Sequence, residues 1–219
     1  LEECYHLWLR LDADVGLSHD LYLCLCYLPP QNSTYYQSLA EHPLDVIARE
    51  AHCAASLGDV LLAGDFNART GCAPDWVTHD ELAEIYGYLE GSPTTSSATH
   101  SRPAPRCNKD TRTNPQGKAF LHLCQECELL ILNGRTPGDE DGELTCLNPN
   151  QSGASTVDYF AASPTLSVCI QQLRVLPCPA TPAGKPMSDH KPLHLTLSLT
   201  PPRTSRPIGQ TTPSHIPRF

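Results

Sequence analysis

An apolar run leads directly into a polar island at residues 60–68, Val60-Leu61-Leu62-Ala63-Gly64-Asp65-Phe66-Asn67-Ala68, and this stretch is the most informative in the chain. The apolar part is typical of a strand that is buried on both faces. If the chain stays extended beyond it, Asp65 and Asn67 point the same way and Phe66 points into the core. A carboxylate and an amide then lie at a strand end, where α/β folds usually place their sites. The alternative is an Asp-x-Asn turn whose side chains bond their own backbone.

A second polar island, Ser188-Asp189-His190, precedes an alternating apolar stretch near the end of the chain. By itself it could be a polar loop that happens to contain a histidine. A third element favours a functional interpretation, because Asp158 interrupts a β-prone run in which Val157 and Tyr159 are good core residues. An unpaired carboxylate in such a strand is unfavourable, so Asp158 needs a partner, and His190 is the natural candidate.

The rest of the pattern predicts interleaved strands and helices, which is typical of a mixed α and β layered domain. Strands are predicted at 5–11, 20–28, 60–63, 129–132, 143–147, 156–162, 167–176 and 193–199. One helix is predicted from Pro43 to about Leu57, with Pro at its first position. A second follows the N-cap Asn114, with an apolar stripe formed by Phe120, Leu123, Cys124 and Cys127.

The folded domain is expected to occupy residues 1–200, and the Pro-, Ser- and Thr-rich segment 201–219 is predicted to be a disordered tail. Residues 92–106 have a similar composition and are predicted to form a long, mobile surface insertion. The chain opens at Leu1 and its only methionine is Met187, so we interpret it as a fragment or a processed product.

Composition excludes several classes of protein. Hydrophobic residues make up 40% and charged residues 18%, as in soluble globular proteins, and the longest apolar run, 21–30, is too short to span a bilayer. No membrane partner is therefore expected. The net charge of -9 argues against bulk electrostatic capture of nucleic acid, but not against a nuclease with local Arg and Lys. Eleven cysteines, an odd number, favour a reducing intracellular location, nuclear or cytoplasmic, over a disulfide framework.

The segments Gly64–Ala68 (GDFNA), Ser155–Tyr159 (S-x-V-D-Y) and Ser188–His190 (SDH), in this order before a last strand, resemble the endonuclease/exonuclease/phosphatase superfamily. Its members include DNase I, apurinic/apyrimidinic endonucleases, sphingomyelinases and inositol polyphosphate phosphatases. The finer pattern is most similar to the endonuclease domain of non-LTR (LINE-type) retrotransposons. That pattern consists of Tyr27-Leu28-Pro29-Pro30, Asn114, Gly117, Ile131-Leu132-Asn133-Gly134-Arg135, Gly138-Asp139, Gly142 and Thr145.

The resemblance implies a four-layer β-sandwich flanked by helices, with the site at one edge. It also implies in-line attack of water on a phosphodiester of DNA, assisted by Mg²⁺ or Mn²⁺. His190 would be the catalytic histidine beside the scissile phosphate, oriented by Asp158. The other implied roles are activation of the nucleophile for Asp65, phosphate binding for Asn67 and Tyr27, and a place at the metal site for Asp189.

The start of the chain departs from the family pattern. Full domains carry, well upstream of the Tyr-x-Pro segment, an Asn in the first strand and a Glu that is the principal metal ligand. Only 26 residues precede Tyr27, and neither Glu2 nor Glu3 falls in the expected place. We therefore expect a domain that lacks its N-terminal part and has impaired activity. The alternatives are a non-catalytic remnant of the fold, or a phosphatase of the same superfamily that acts on small phosphoesters or lipids. In a retroelement polyprotein the tail would lead towards a reverse transcriptase domain; the oligomeric state is left open.

Three weaker signals receive structural interpretations. Cys124-x-x-Cys127 has zinc-knuckle spacing, but the stripe places both residues on the buried side of a helix. His190 and His194 are one helical turn apart, but Pro192 and the strand pattern argue against a helix. Arg102, Arg106, Arg112 and Arg135 could contact a nucleic-acid backbone, although scattered surface arginines are the simpler interpretation.

Overall fold

The computed structural model describes residues 5–76, 103–148 and 153–200, without the side chain of Asn148. The strands in these residues are β1 His6–Leu11, β2 Leu21–Tyr27, β3 Asp59–Asp65, β4 Leu130–Ile131, β5 Cys146–Asn148, β6 Gly153–Ser155, β7 Asp158–Ala162, β8 Ile170–Val175 and β9 Leu193–Leu197. The α-helices are α1 Pro43–Ala55, α2 Pro115–Glu126 and α3 Pro164–Ser167, and short 3₁₀ helices lie at Ala13–Val15 and Thr34–Ser38. Most of the predicted insertion and the whole predicted tail lie outside the described residues.

The main sheet has five strands in the order β1-β2-β3-β7-β4. Strands β2 and β3 are parallel and are connected through α1, as a crossover between parallel neighbours requires. The other neighbours in this sheet are antiparallel. Strands β5 and β6 form a two-stranded ribbon, and β8 and β9 form a second one. The strand predicted at the C-terminal end is therefore confirmed, and His194 lies on it and not on a helix.

Two apolar clusters arrange these elements in layers. The larger one packs α1 and α2 against one face of the main sheet, and Phe66, Phe120 and Tyr159 lie at its centre. The smaller one fills the space between the opposite face and the ribbon β8–β9, with Leu166 of α3 and Leu173 of β8. The expected mixed α/β layered fold is confirmed. No helix in the described ranges has the length and apolar character that a bilayer crossing needs.

Local sequence signals explain where the two long helices begin. His42 caps α1 by accepting a hydrogen bond from the N–H of Leu44 at 3.2 Å, and Pro43 occupies the first helical position. Asn114 caps α2 by accepting from the N–H of Gly117 at 2.6 Å. The predicted helices are confirmed, although α1 ends two residues earlier than expected.

The buried arginines are a correction to the sequence interpretation. The side chains of Arg106 and Arg135 are only 1% and 10% exposed, respectively, and both lie beside Asp75. The Asp75 carboxylate also accepts a hydrogen bond from the N–H of Ile131, so the cluster fixes the start of β4. The surface interpretation is therefore wrong for these two arginines. Arg112 is exposed, as expected.

The cysteine pair at the C-terminal end of α2 is buried, as the sequence predicts. Cys124 and Cys127 are both buried in the larger apolar cluster. Burial raises the pKa of the Cys124 thiol well above its ordinary value and that of Cys127 to about 11. Both thiols are therefore neutral at physiological pH and serve as small apolar side chains.

Candidate active site

The end of β3 can form only because residue 64 is glycine. Gly64 has φ +141°, a conformation that L side chains rarely adopt. A Cβ at this position would lie 1.9 Å from the carbonyl oxygen of Cys26 on the neighbouring strand. This close approach of β2 and β3 places Asp65 at the carboxyl end of both strands.

Asp65 and Asn67 meet through a tight turn and not along an extended strand. Asn67 has φ +46°, so the chain leaves the extended conformation directly after Phe66. The N–H of Asn67 donates to Oδ1 of Asp65 at 2.8 Å, and its Nδ2 donates to Oδ2 of Asp65 at 3.2 Å and to the carbonyl of Leu28 at 2.7 Å. The turn alternative is therefore correct for the backbone. Phe66 is fully buried, as predicted.

The imidazole of His190 lies between two carboxylates from two different strands. Its Nδ1 is 3.0 Å from each carboxylate oxygen of Asp158, and its Nε2 is 3.9 Å from Oδ2 of Asp65. Because an ionised carboxylate can only accept, Nδ1 carries the proton and Nε2 faces Asp65. Four predicted site residues therefore lie together where β3 ends and β7 begins: residues 65, 67, 158 and 190.

Two buried polar side chains hold Asp158 in place. Oγ1 of Thr145 accepts hydrogen bonds from the N–H groups of Val157 at 3.1 Å and Asp158 at 3.2 Å. Nδ2 of Asn133 donates to the carbonyl of Asp158 at 3.2 Å, and its Oδ1 accepts from Phe160. The sequence pattern included Thr145 and Asn133 but gave neither a role. The signal for their role is their burial, because a buried hydroxyl or amide needs hydrogen-bond partners, and this burial is visible only in the structure.

The turn at Asn67 is tied to the beginning of α2. Nδ2 of Asn114 donates to the carbonyl of Asn67 at 3.0 Å, while its Oδ1 caps the helix. Nε2 of the buried Gln116 donates to the carbonyl of Phe66 at 2.5 Å. The N-cap predicted from sequence therefore has a second function, which is to fix the loop that carries Asp65.

The loop 188–190 is attached to the start of β5. The N–H of Leu147 donates to the carbonyl of Asp189, and the N–H of Lys191 donates to the carbonyl of Thr145, both at 2.7 Å. These bonds place Cys146 directly opposite His190. The side chain of Asp189 is exposed at the same edge.

Tyr27 ends β2 opposite Asp65 in the parallel register, and it is 61% exposed. The side chain of Tyr27 is therefore accessible at the end of β2, next to the end of β3 that carries Asp65. The structure gives no direct contact between the Tyr27 side chain and that cluster.

The site has more carboxylates than cationic groups. Burial, together with the charge of Asp158, raises the pKa of Asp65 to about 6, although the hydrogen bond from Asn67 opposes this. Burial lowers the pKa of His190, but its hydrogen bond to Asp158 and the charges of Asp158 and Asp65 outweigh that effect and raise it. Burial and nearby carboxylates also raise the pKa of Cys146 to about 11, so this thiol is neutral.

The donor set fits a divalent cation. Asp65, Asp158 and His190 each offer one ligand atom within 4.8 Å of the others, and the same holds for Cys146, Asp189 and His190. Carboxylate oxygens are the ligands that Mg²⁺ and Mn²⁺ prefer, and a cation would neutralise the excess negative charge around Asp65. The predicted metal position at Asp189 is compatible with this arrangement.

Comparisons with known proteins support the fold. No protein-family model and no curated protein matches the chain. The 3′ phosphatase NExo from Neisseria, bound to product DNA hairpin, matches 84% of this chain with 63% of its own length, at 13% identity and a TM-score of 0.51. The AP endonuclease LMAP from Leishmania major matches 83% with 51% of its own length, at 12% identity and a TM-score of 0.50.

A third similar structure is the endonuclease domain of TRAS1, a telomere-specific non-LTR retrotransposon. It matches 89% of this chain with 64% of its own length, at 15% identity and a TM-score of 0.49. The chain thus spans less than two thirds of each of these structures. The chain therefore has the DNase I-like fold of the NExo and LMAP structures.

Proposed function

We propose that this chain is a metal-dependent phosphodiesterase domain that nicks DNA, as retroelement endonucleases do. The observation that carries the proposal is the position of His190, which is hydrogen-bonded to Asp158 and 3.9 Å from Asp65. An imidazole oriented by one carboxylate beside a second carboxylate, whose pKa is about 6, is an arrangement suited to proton transfer near a scissile phosphate. The DNA-acting proteins among the similar structures agree with this substrate class.

In this proposal Asp158 acts on His190 and not on the substrate. Its carboxylate keeps the proton on Nδ1, so Nε2 is directed towards the reacting phosphate. The raised pKa of His190 favours the imidazolium, which stabilises the negative charge of the pentacovalent transition state. Asp65, whose pKa is about 6, is ionised near neutral pH and accepts a proton from the attacking water.

The assigned phosphate ligands require one small rearrangement. Nδ2 of Asn67 donates to both Leu28 and Asp65, and the bond to Asp65 is the longer one. Asn67 can therefore exchange that bond for a phosphate oxygen while Leu28 still holds the amide. Tyr27, on the neighbouring strand, offers its exposed hydroxyl as a second phosphate contact.

A divalent ion, Mg²⁺ or Mn²⁺, would be held at Asp189, whose carboxylate is exposed beside His190. When bound, it would supply positive charge for the phosphate oxygens and the leaving group. Among the residues that the structure describes, no glutamate belongs to either group of possible metal ligands, so the glutamate ligand that the sequence resemblance implies has no counterpart there. We therefore propose that the chain by itself cuts DNA slowly. We also propose that a reverse transcriptase domain accompanies it in a longer polyprotein.

Nicking of supercoiled plasmid in the presence of Mg²⁺ tests the proposal. We expect concentrated protein to convert supercoiled DNA to the relaxed form, and Asp65→Ala and His190→Ala to abolish this. His122→Ala is the matched control, because His122 is exposed on α2. Intact plasmid with the unaltered chain, or hydrolysis of phosphoinositides without DNA cleavage, would overturn the assignment in favour of a non-catalytic remnant or a phosphatase, respectively.

A further inference from the structure

Main-chain pairing places Cys146 beside the proposed catalytic histidine, His190. It faces His190 in an antiparallel pair that is flanked by the hydrogen bonds Leu147–Asp189 and Lys191–Thr145. The two paired residues make no main-chain hydrogen bond to each other. In such a pair the Cα atoms are closest and the side chains are in contact range.

The thiol, the imidazole and a carboxylate therefore converge. Cys146, Asp189 and His190 each present one ligand atom, and these atoms lie within 4.8 Å of one another. Since Nδ1 of His190 is bonded to Asp158, Nε2 is the nitrogen available to an ion. The carboxylates of Asp65 and Asp158, which surround the same imidazole, add negative charge that favours a cation.

This donor set differs in kind from that of the proposed Mg²⁺ site. Sulfur and nitrogen ligands suit zinc and similar borderline ions, whereas Mg²⁺ takes oxygen ligands. Three protein ligands plus water complete the tetrahedral coordination that zinc adopts. The sulfur of Cys146 thus distinguishes the two classes of ion at the same edge of the sheet.

We propose that Cys146, Asp189 and His190 form a binding site for a zinc-class divalent ion, and that occupation of this site inhibits the chain. The inhibitory part rests on the proposed function, because the ion would withdraw Asp189 and Nε2 of His190 from phosphodiester hydrolysis. Binding forms a metal–sulfur and a metal–nitrogen bond, and it releases the thiol proton of Cys146 and the Nε2 proton of the His190 imidazolium to the buffer. No atom is oxidised or reduced.

Titration with Co²⁺ alone tests the binding, because cobalt takes zinc sites and reports a bound thiolate by a charge-transfer absorption in the near ultraviolet. The relevant quantity is the difference between the unaltered chain and Cys146→Ser, since other cysteines are exposed. We expect Cys146→Ser to lose this absorption and to weaken Co²⁺ binding by about tenfold or more. Cys107→Ser is the matched control, with an exposed thiol outside the cluster, and it should retain both.

The second arm measures inhibition by Zn²⁺ of plasmid nicking in Mg²⁺. The unaltered chain and Cys107→Ser should be inhibited at the same Zn²⁺ concentration, and the residual activity of Cys146→Ser should need more Zn²⁺. Circular dichroism checks that Cys146→Ser and Cys146→Ala are folded. An absorption that persists in both folded variants overturns the site. A Cys146-dependent absorption in a chain that never nicks DNA overturns the proposed function and leaves the ion site intact.

Discussion

Nδ1 of His190 lies 3.0 Å from both carboxylate oxygens of Asp158, although the two residues are 32 positions apart in the chain. The bond joins the last residue of the 188–190 loop to the first residue of β7. Thr145 supports both partners, because its hydroxyl accepts from the N–H of Asp158 and its carbonyl accepts from the N–H of Lys191. The orientation of the imidazole is therefore a property of three segments together.

Asp158→Asn should remove the charge that orients His190 while leaving the backbone intact. An amide can present its N–H to Nδ1 and so stabilise the wrong tautomer. We expect kcat for plasmid nicking to fall by about a hundredfold or more, with little change in the circular dichroism spectrum. The control is Asp141→Asn, an exposed carboxylate on a loop. Near-normal kcat in folded Asp158→Asn would refute the assigned role of Asp158.

The ionisation of His190 should depend on the same carboxylate. The hydrogen bond and charge of Asp158 raise the pKa of the imidazole, so Asp158→Asn should lower it. Titration of the His190 ring protons by NMR, without metal, measures this directly. An unchanged or higher pKa in the variant would show that another group holds the imidazolium.

The rate of hydrolysis should follow a bell-shaped pH profile. The acidic limb should rise as pH passes about 6, because Asp65 must lose its proton to act as a base. The alkaline limb should fall above the raised pKa of His190, where the imidazolium is lost. The two apparent values belong to the pair, since Asp65 and His190 interact at 3.9 Å. A rate that decreases between pH 5 and 7 at saturating Mg²⁺ would contradict this assignment.

Asp65→Asn should inactivate the chain and yet stabilise it at neutral pH. The pKa of Asp65 is about 6 in the folded state against 3.8 ordinarily, so the folded state binds more protons than the unfolded state between these values. Stability is therefore lost as pH rises through this window. Thermal unfolding in EDTA should give Asp65→Asn a higher Tm than the unaltered chain at pH 8 and a smaller advantage at pH 5. A lower Tm for the variant at pH 8 would mean that the Asp65 charge is stabilising.

Gly64→Ala should destabilise the fold by about 3 kcal/mol or more, since it combines a strained positive φ with a Cβ 1.9 Å from the Cys26 carbonyl. Gly153→Ala is the matched control, because a Cβ at Gly153 meets nothing within 4 Å. Urea unfolding of both variants compares the two positions. Equal stabilities would show that β2 and β3 separate at low cost near the site.

Several features could be predicted from the sequence because they depend on neighbouring residues. Alternation of apolar residues indicates the strands, and Asn114 followed by Pro115 indicates the start of α2. The hydrogen bonds that Asn67 donates to Asp65 could be predicted as one of two alternatives, since an Asp-x-Asn turn needs only three residues. The need of Asp158 for a partner follows from placing a charge in an apolar strand.

Apart from the pairing of Asp158 with His190, the contacts between residues distant in the chain became visible only in the tertiary structure. The burial of Arg106 and Arg135 beside Asp75, the support of Asp158 by Thr145, and the position of Cys146 opposite His190 all depend on strand order and register. A periodic pattern specifies which face of a strand is apolar, but it carries no information on which strand lies next to it. Local sequence patterns were therefore sufficient for the two long helices, for most of the strands and for the types of groups available for chemistry, but not for β6 or α3. Packing of the sheet decided the geometry of those groups, because cross-strand contacts form between segments that have no local relationship in the chain.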